Sequence, residues 1–72
     1  MSAGRKYSIS VRGHRTSISL EPEFWTAFRA LCRAEESRFS EVLAQIDGHR
    51  QGSLASAVRL WVLGRLIAGP RR

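Results

Sequence analysis

The 72-residue chain has a single cysteine, Cys32, so no disulfide can form within it. A lone thiol points to a reducing compartment rather than secretion, and a cytoplasmic location is expected. No N-terminal stretch joins a basic end to an apolar run and a small-residue cleavage site, so no signal peptide is expected. No apolar run is long enough to span a bilayer. Histidine occurs only as His14 and His49, neither near Cys32, and no CxxC or HxxxH spacing is present. Common metal sites and nucleophile–base pairs are thereby excluded, and no metal, cofactor or catalytic residue is expected. The abundant serines lie in strands and at helix starts, where hydroxyls have structural uses. The chain reads as a non-enzyme.

Acidic residues are missing from both ends. Residues 1–16 carry Arg5, Lys6, Arg12 and Arg15 with no acid, and residues 53–72 carry Arg59, Arg65, Arg71 and Arg72 with none. All six acids (Glu21, Glu23, Glu35, Glu36, Glu41, Asp47) lie between, beside Arg29, Arg33, Arg38 and Arg50, and the net charge is +6. Such an excess concentrates polyanions around the protein, and nucleic acid is the partner it favours. A domain this short buries only ~60% of its unfolded surface and often needs disulfide, metal or a second subunit. With the first two excluded, a homodimer is expected.

What the chain does contain is an abrupt change of period. Arg15-Thr16-Ser17-Ile18-Ser19-Leu20 alternates every second residue, then Glu21-Pro22-Glu23-Phe24-Trp25 starts a helix. The alternation predicts a strand with Arg15, Ser17 and Ser19 on one face and Thr16, Ile18 and Leu20 on the other. Tyr7-Ser8-Ile9-Ser10-Val11-Arg12 alternates in the same way, and Gly13-His14 separates the two runs. They form either a hairpin or one long bent strand. Residues 1–6 read as a flexible basic arm, 7–68 as a single domain and 69–72 as a basic tail.

Three helices are predicted. The first begins at Pro22, with Glu21 and Glu23 at the positive end of its dipole. It buries Trp25, Phe28, Leu31 and Cys32, with Arg29, Arg33 and Glu36 facing away. Cys32 is read as a small buried hydrophobe. Glu35-Glu36 and the Glu21/Glu23 pair are read as solvated helix-end charges. The second helix, residues 38–47, places Phe39, Val42, Leu43 and Ile46 on one face with Ser37 as its N-cap, and residues 47–52 read as a loop. The third runs from the N-cap Ser53 to about Ala68, where Gly69-Pro70 stops it. Leu54, Ala57, Val58, Leu60, Trp61, Val62, Leu63, Leu66 and Ile67 cover almost its whole circumference. Two short helices and a strand cannot enclose such a helix, so it is expected at the centre of an obligate dimer. Gly64 reads either as close backbone approach across that dimer or as simple tolerance.

The strand and helix start at residues 15–25, with Gly52-Ser53-Leu54-Ala55-Ser56-Ala57-Val58-Arg59, resemble the ribbon-helix-helix family of DNA-binding proteins, which includes the Arc and MetJ repressors and CopG-like plasmid regulators. TSISLEPEFW and SLASAVRLWVL are most similar to the bacterial subgroup of ribbon-helix-helix domain proteins, over roughly residues 14–67. The resemblance implies a mostly α fold with a short N-terminal β-strand. Two copies would pair their strands into an intermolecular antiparallel ribbon in a homodimer held by the strand and the third helix. The second predicted helix would be an extra short one between the two main helices; alternatively Ser40 onward is the family's second helix and residues 53–68 an extension. The insertion is preferred, because Gly52-Ser53 resembles the family's turn.

By that resemblance Arg15, Ser17 and Ser19 face base edges in the major groove of double-stranded DNA. Ser53 and Leu54 offer backbone N–H groups to a phosphate at the helix start. Lys6 and Arg12, with Arg5 and His14 as further candidates, reach phosphates or belong to a solvated arm. The implied function is sequence-specific transcriptional regulation, repressor-like, at the nucleoid. The alternative is a dimeric protein-interaction or antitoxin-like module, against which the shortness of residues 69–72 weighs. Association with a membrane surface is not expected.

Overall fold

The computed structural model describes residues 4–69. Two strands, β1 (Arg5–Val11) and β2 (His14–Leu20), precede three helices: α1 (Pro22–Ala34), α2 (Phe39–His49) and α3 (Leu54–Ala68). The two alternating runs form a hairpin, pairing antiparallel from Val11↔His14 out to Arg5↔Leu20. Its two loop residues both have positive φ, 54° at Arg12 and 81° at Gly13, the combination that a type I′ turn requires. An arginine rarely takes that conformation, but here its guanidinium donates to the Ala44 carbonyl 3.4 Å away on α2. Gly48, one turn further along α2, leaves the room: a Cβ there would meet Arg12 Nη2 at 2.6 Å.

Alternation divides the hairpin into two faces. Ile9, Val11, Ile18 and Leu20 are buried, while Lys6, Ser8, Ser10, Arg15, Ser17 and Ser19 are exposed. Thr16, expected on the inner face, is exposed as well; it lies toward the turn, two residues beyond the closing pair Val11↔His14. Arg5 and Lys6, assigned to a loose arm, are the first residues of β1. The rest of that arm before Gly4, and the tail beyond Gly69, lie outside the described residues.

On the inner face α2 packs over β1 and α3 over β2, with α1 against both helices. Phe28 of α1, Cys32 of α1, Val42 and Leu43 of α2, and Val58 and Val62 of α3 complete the core, and no polar side chain among the described residues is buried with them. Each fully buried Leu, Val or Phe contributes about 1.5–3 kcal/mol by leaving water. The expectation that one chain cannot enclose α3 is therefore half corrected. Packed against α1, α2 and β2, Val58 and Val62 are covered within the chain. Leu60, Leu63, Leu66 and Ile67, on the other side, remain 50–77% exposed.

An aromatic cluster anchors the start of β1. Tyr7 stacks on Trp25 at 4.2 Å between ring centroids, and Trp25 meets Phe39 edge-on at 6.0 Å. Arg29, expected to face solvent away from the core side, lies over the Phe39 ring at 4.1 Å. A guanidinium attracted to a ring face gains cation–π energy while its nitrogens stay hydrated.

The helix ends depart from the sequence reading in two places. Ser37 does not cap α2, whose N-cap is Arg38 without a side-chain bond. Ser37 is instead the last residue of the turn that closes α1: its N–H donates to Cys32 O at 2.9 Å, and that of Glu36 to Arg33 O at 3.0 Å. This is a Schellman motif, and it holds Glu36 at φ 55°. Second, α2 continues through Asp47, Gly48 and His49, assigned to a loop. Arg50 holds that end, donating to Asp47 Oδ1 at 2.7 Å and to the Gly52 carbonyl.

Left-handed backbone at a residue with a side chain costs roughly 1–2 kcal/mol, which glycine avoids. Glu36→Gly should therefore raise stability by about 1 kcal/mol and the melting temperature by several degrees. A melt showing no gain would mean that the α1 turn is not formed in solution.

Candidate nucleic-acid interface

The back of the hairpin is a continuous polar surface built by register. Ser10 stands opposite Arg15, Ser8 opposite Ser17 and Lys6 opposite Ser19, and all six are exposed. Neither strand contains an acid. The buried residues that intervene press the sheet onto the helices, so the polar side chains stand on a supported surface. All three residues expected to read bases, Arg15, Ser17 and Ser19, share this face.

The residues expected at phosphates lie partly elsewhere. Lys6 is exposed on the hairpin face. Arg12 is exposed at the turn, with one nitrogen on the Ala44 carbonyl. Ser53 caps α3, its Oγ accepting from the Ser56 N–H at 3.0 Å, and Leu54 is half-buried at the first position of the helix. The structure brings two of these groups together. A shallow cleft of about 470 Å³ is lined by Arg12, His14 and Ser17 from the hairpin and by Asp47, Arg50 and Leu54 from the α2–α3 corner. Arg50 joins the cleft without any signal in the sequence. Its position within an apparent loop carried no periodic signal, and only the folding of α2 back over the turn sets it there.

Two ion pairs tie α3 to the two ends of α1 and thereby set where α3 crosses β2. Arg59 donates to both Glu21 oxygens, at 2.8 and 3.2 Å. Arg65 donates to Glu35 Oε2 at 2.7 Å and packs over the Trp61 ring at 4.5 Å. Trp61 in turn meets Phe28 edge-on at 5.3 Å. Glu21 and Glu35, read as solvated helix-end charges, are structural partners instead. Sequence could not pair them, since the partners are 38 and 30 residues apart.

The Arg59 hydrogen bond, more than anything else, holds the Glu21 carboxyl below its ordinary value of 4.5. At Cys32, burial leads, with the Glu35 charge adding, in pushing the thiol above its ordinary 9.0. The thiol stays protonated at neutral pH, which fits a packing role. Among the described residues, no cluster of His, Cys, Asp and Glu is arranged to hold a metal ion, and no helix is long and apolar enough to cross a membrane.

A hairpin with an exposed basic and hydroxylic back, carried on three helices, defines a domain of the β-ribbon type. Residues 4–66 match the family model of the ribbon-helix-helix domain, a stretch that takes in both strands, α1, α2 and nearly all of α3. The chain belongs to the ribbon-helix-helix domain family, whose members generally bind DNA in transcriptional regulators. No curated protein and no solved structure matches it.

Because the folded Glu21 pKa is lowered, the Arg59–Glu21 pair contributes fully above the unfolded carboxylate value. That contribution is lost as pH falls through the lower folded value. Glu21→Gln should thus lower stability at pH 7 and flatten its decline below about pH 4.5. Denaturant melts between pH 2 and pH 7 measure both, and an unchanged acid slope would refute the pairing.

Proposed function

We propose that this protein is a sequence-specific DNA-binding homodimer that regulates transcription, as a repressor, by occupying an operator. The observation that carries the reading is the exposed, acid-free face of Arg15, Ser17 and Ser19 on a strand whose other face buries Ile18 and Leu20. A guanidinium pairs bidentately with guanine, and serine hydroxyls donate to or accept from several bases. Arg15 therefore dominates specificity. The N–H groups at the start of α3, with Lys6 and Arg12, hold phosphates and set the register.

Two features favour a second copy. In a two-residue hairpin the closing pair exchanges hydrogen bonds, and bonding alternates from there. By that alternation Arg15, Ser17 and Ser19 direct their backbone groups to the outer edge of β2, away from β1. That edge can pair with its symmetry mate, placing two β2 strands side by side as the ribbon that enters the major groove. The same side of the molecule carries α3, which overlies β2 and presents Leu60, Leu63, Leu66 and Ile67. A patch of such residues on a small domain marks an interface, and Gly64, exposed among them, admits close approach of two helices.

A second reading, a protein-interaction or antitoxin-like module, draws on the apolar groove of about 650 Å³ beside Leu60, lined by Ile46, Ala57 and Trp61. The two readings differ in what they require of DNA.

Binding to duplex fragments selected from genomic DNA should weaken steeply with salt, because each neutralised phosphate releases counterions. Arg15→Ala should cost about tenfold or more on the selected sequence and much less on unrelated DNA. Absence of any enriched sequence would favour the interaction module. Light scattering should give a dimer mass, and Leu63→Glu/Ile67→Glu should reduce it to a monomer. A dimer that survives this double substitution would remove α3 from the interface.

A further inference from the structure

Apart from Lys6, the outward face of β1 has no part in the reading above. Its Ser8 and Ser10 stand directly across from Ser17 and Arg15, equally exposed. β1 is also no loose arm. Tyr7, on its inner side, stacks on Trp25, and Arg12 at its other end bonds the Ala44 carbonyl. Lys6, Ser8 and Ser10 are thus presented in a row by a strand fastened near both ends, with no acid beside them.

Where that row meets DNA follows from the width of the sheet. A dimer joined along β2 has the strand order β1–β2–β2–β1. With strands about 4.8 Å apart, its outer strands are separated by about 14 Å. The major groove is about 12 Å wide. The central pair enters the groove and the outer strands do not; they come to rest over its walls, which are phosphate.

We propose that Lys6, Ser8 and Ser10 of β1 form a phosphate-binding rail flanking the base-reading strand. The Ser8 and Ser10 hydroxyls donate to phosphate oxygens, and the Lys6 ammonium supplies charge. The proposal rests on the reading of the protein as a DNA-binding dimer joined at β2. Its consequence is a division of labour within one hairpin: β2 carries sequence information, whereas β1 fixes depth and register regardless of sequence.

The test is titration of the full chain, as Ser8→Ala/Ser10→Ala, into the duplex selected by the wild type and into an unrelated duplex of equal length. A dimer loses two hydroxyls per subunit, and a hydrogen bond is worth a factor of about 2–10. Affinity should fall at least about tenfold, by the same factor on both duplexes, with the salt dependence unchanged. Ser8→Thr/Ser10→Thr, which keeps the hydroxyls and suits a strand, should restore binding. Lys6→Gln should weaken both duplexes and lower the salt slope by about one per lysine removed. Circular dichroism melts of the variants should overlay the wild type, since all three side chains are exposed. Wild-type affinity in the alanine variant would overturn the rail alone. Loss confined to the selected duplex would also overturn it, by making these serines base readers. Failure of the wild type to bind any duplex would remove the parent reading and the rail together.

Discussion

The pairing of β1 with β2 inside one chain is the constraint on which the rest of this molecule depends. A two-residue loop joins the strands, so their association carries little loop-closure entropy, and the paired residues present Ile9, Val11, Ile18 and Leu20 as one apolar floor. α2 packs over one strand and α3 over the other. Without β1, α2 would have no strand beneath it. Because the side-chain period of a strand is two, the same alternation that closes the core makes the opposite face polar. A slip of one residue would exchange the faces and destroy both. Core and candidate interface are thus two sides of one pattern.

α3 shows how a short domain can close its core and still expose an apolar helix face. Its inner residues Val58 and Val62 are buried, and Arg59 and Arg65 fasten it to the two ends of α1. These ion pairs sit at the margin of the core, so their charges remain partly hydrated while fixing the crossing of α3 over β2. Its opposite side carries leucines and an isoleucine in water. A helix apolar on two opposed faces has one face for its own chain and another for something else. That second face lies over the open edge of β2, so the second copy proposed above would have two adjoining surfaces to meet. In the proposed DNA-binding dimer, base contacts, phosphate contacts and dimerisation would all radiate from one hairpin and the helix lying on it.

Much of this was legible from residue order. The period-two runs mark both strands, Pro22 marks the start of α1, and Ser53 marks the cap of α3. Such features depend on near neighbours along the chain, where local rules operate. Where the fold departs from local rules, the departures share a cause as well. The hydroxyl of Ser37 suits a helix cap, but its backbone N–H closes the preceding helix on Cys32. Asp47–His49 looked like loop because of Gly48, yet that glycine makes room for Arg12 arriving from a turn far away in sequence. Glu21 and Glu35 looked solvated because their arginines lie in another helix.

Sequence by itself determined which residues alternate, which face of each strand is polar, and that α3 is too apolar to be covered on one side only. Those properties follow from side-chain chemistry read at a strand or helix period. Tertiary structure alone decided that Tyr7–Val11 returns as β2's partner rather than continuing as one bent strand. It likewise decided which half of α3 is buried, and that Arg12, His14, Arg50 and Leu54 surround one cleft. The reason is physical: pairing partners and crossing positions depend on distances between segments remote in sequence, and no local period encodes them.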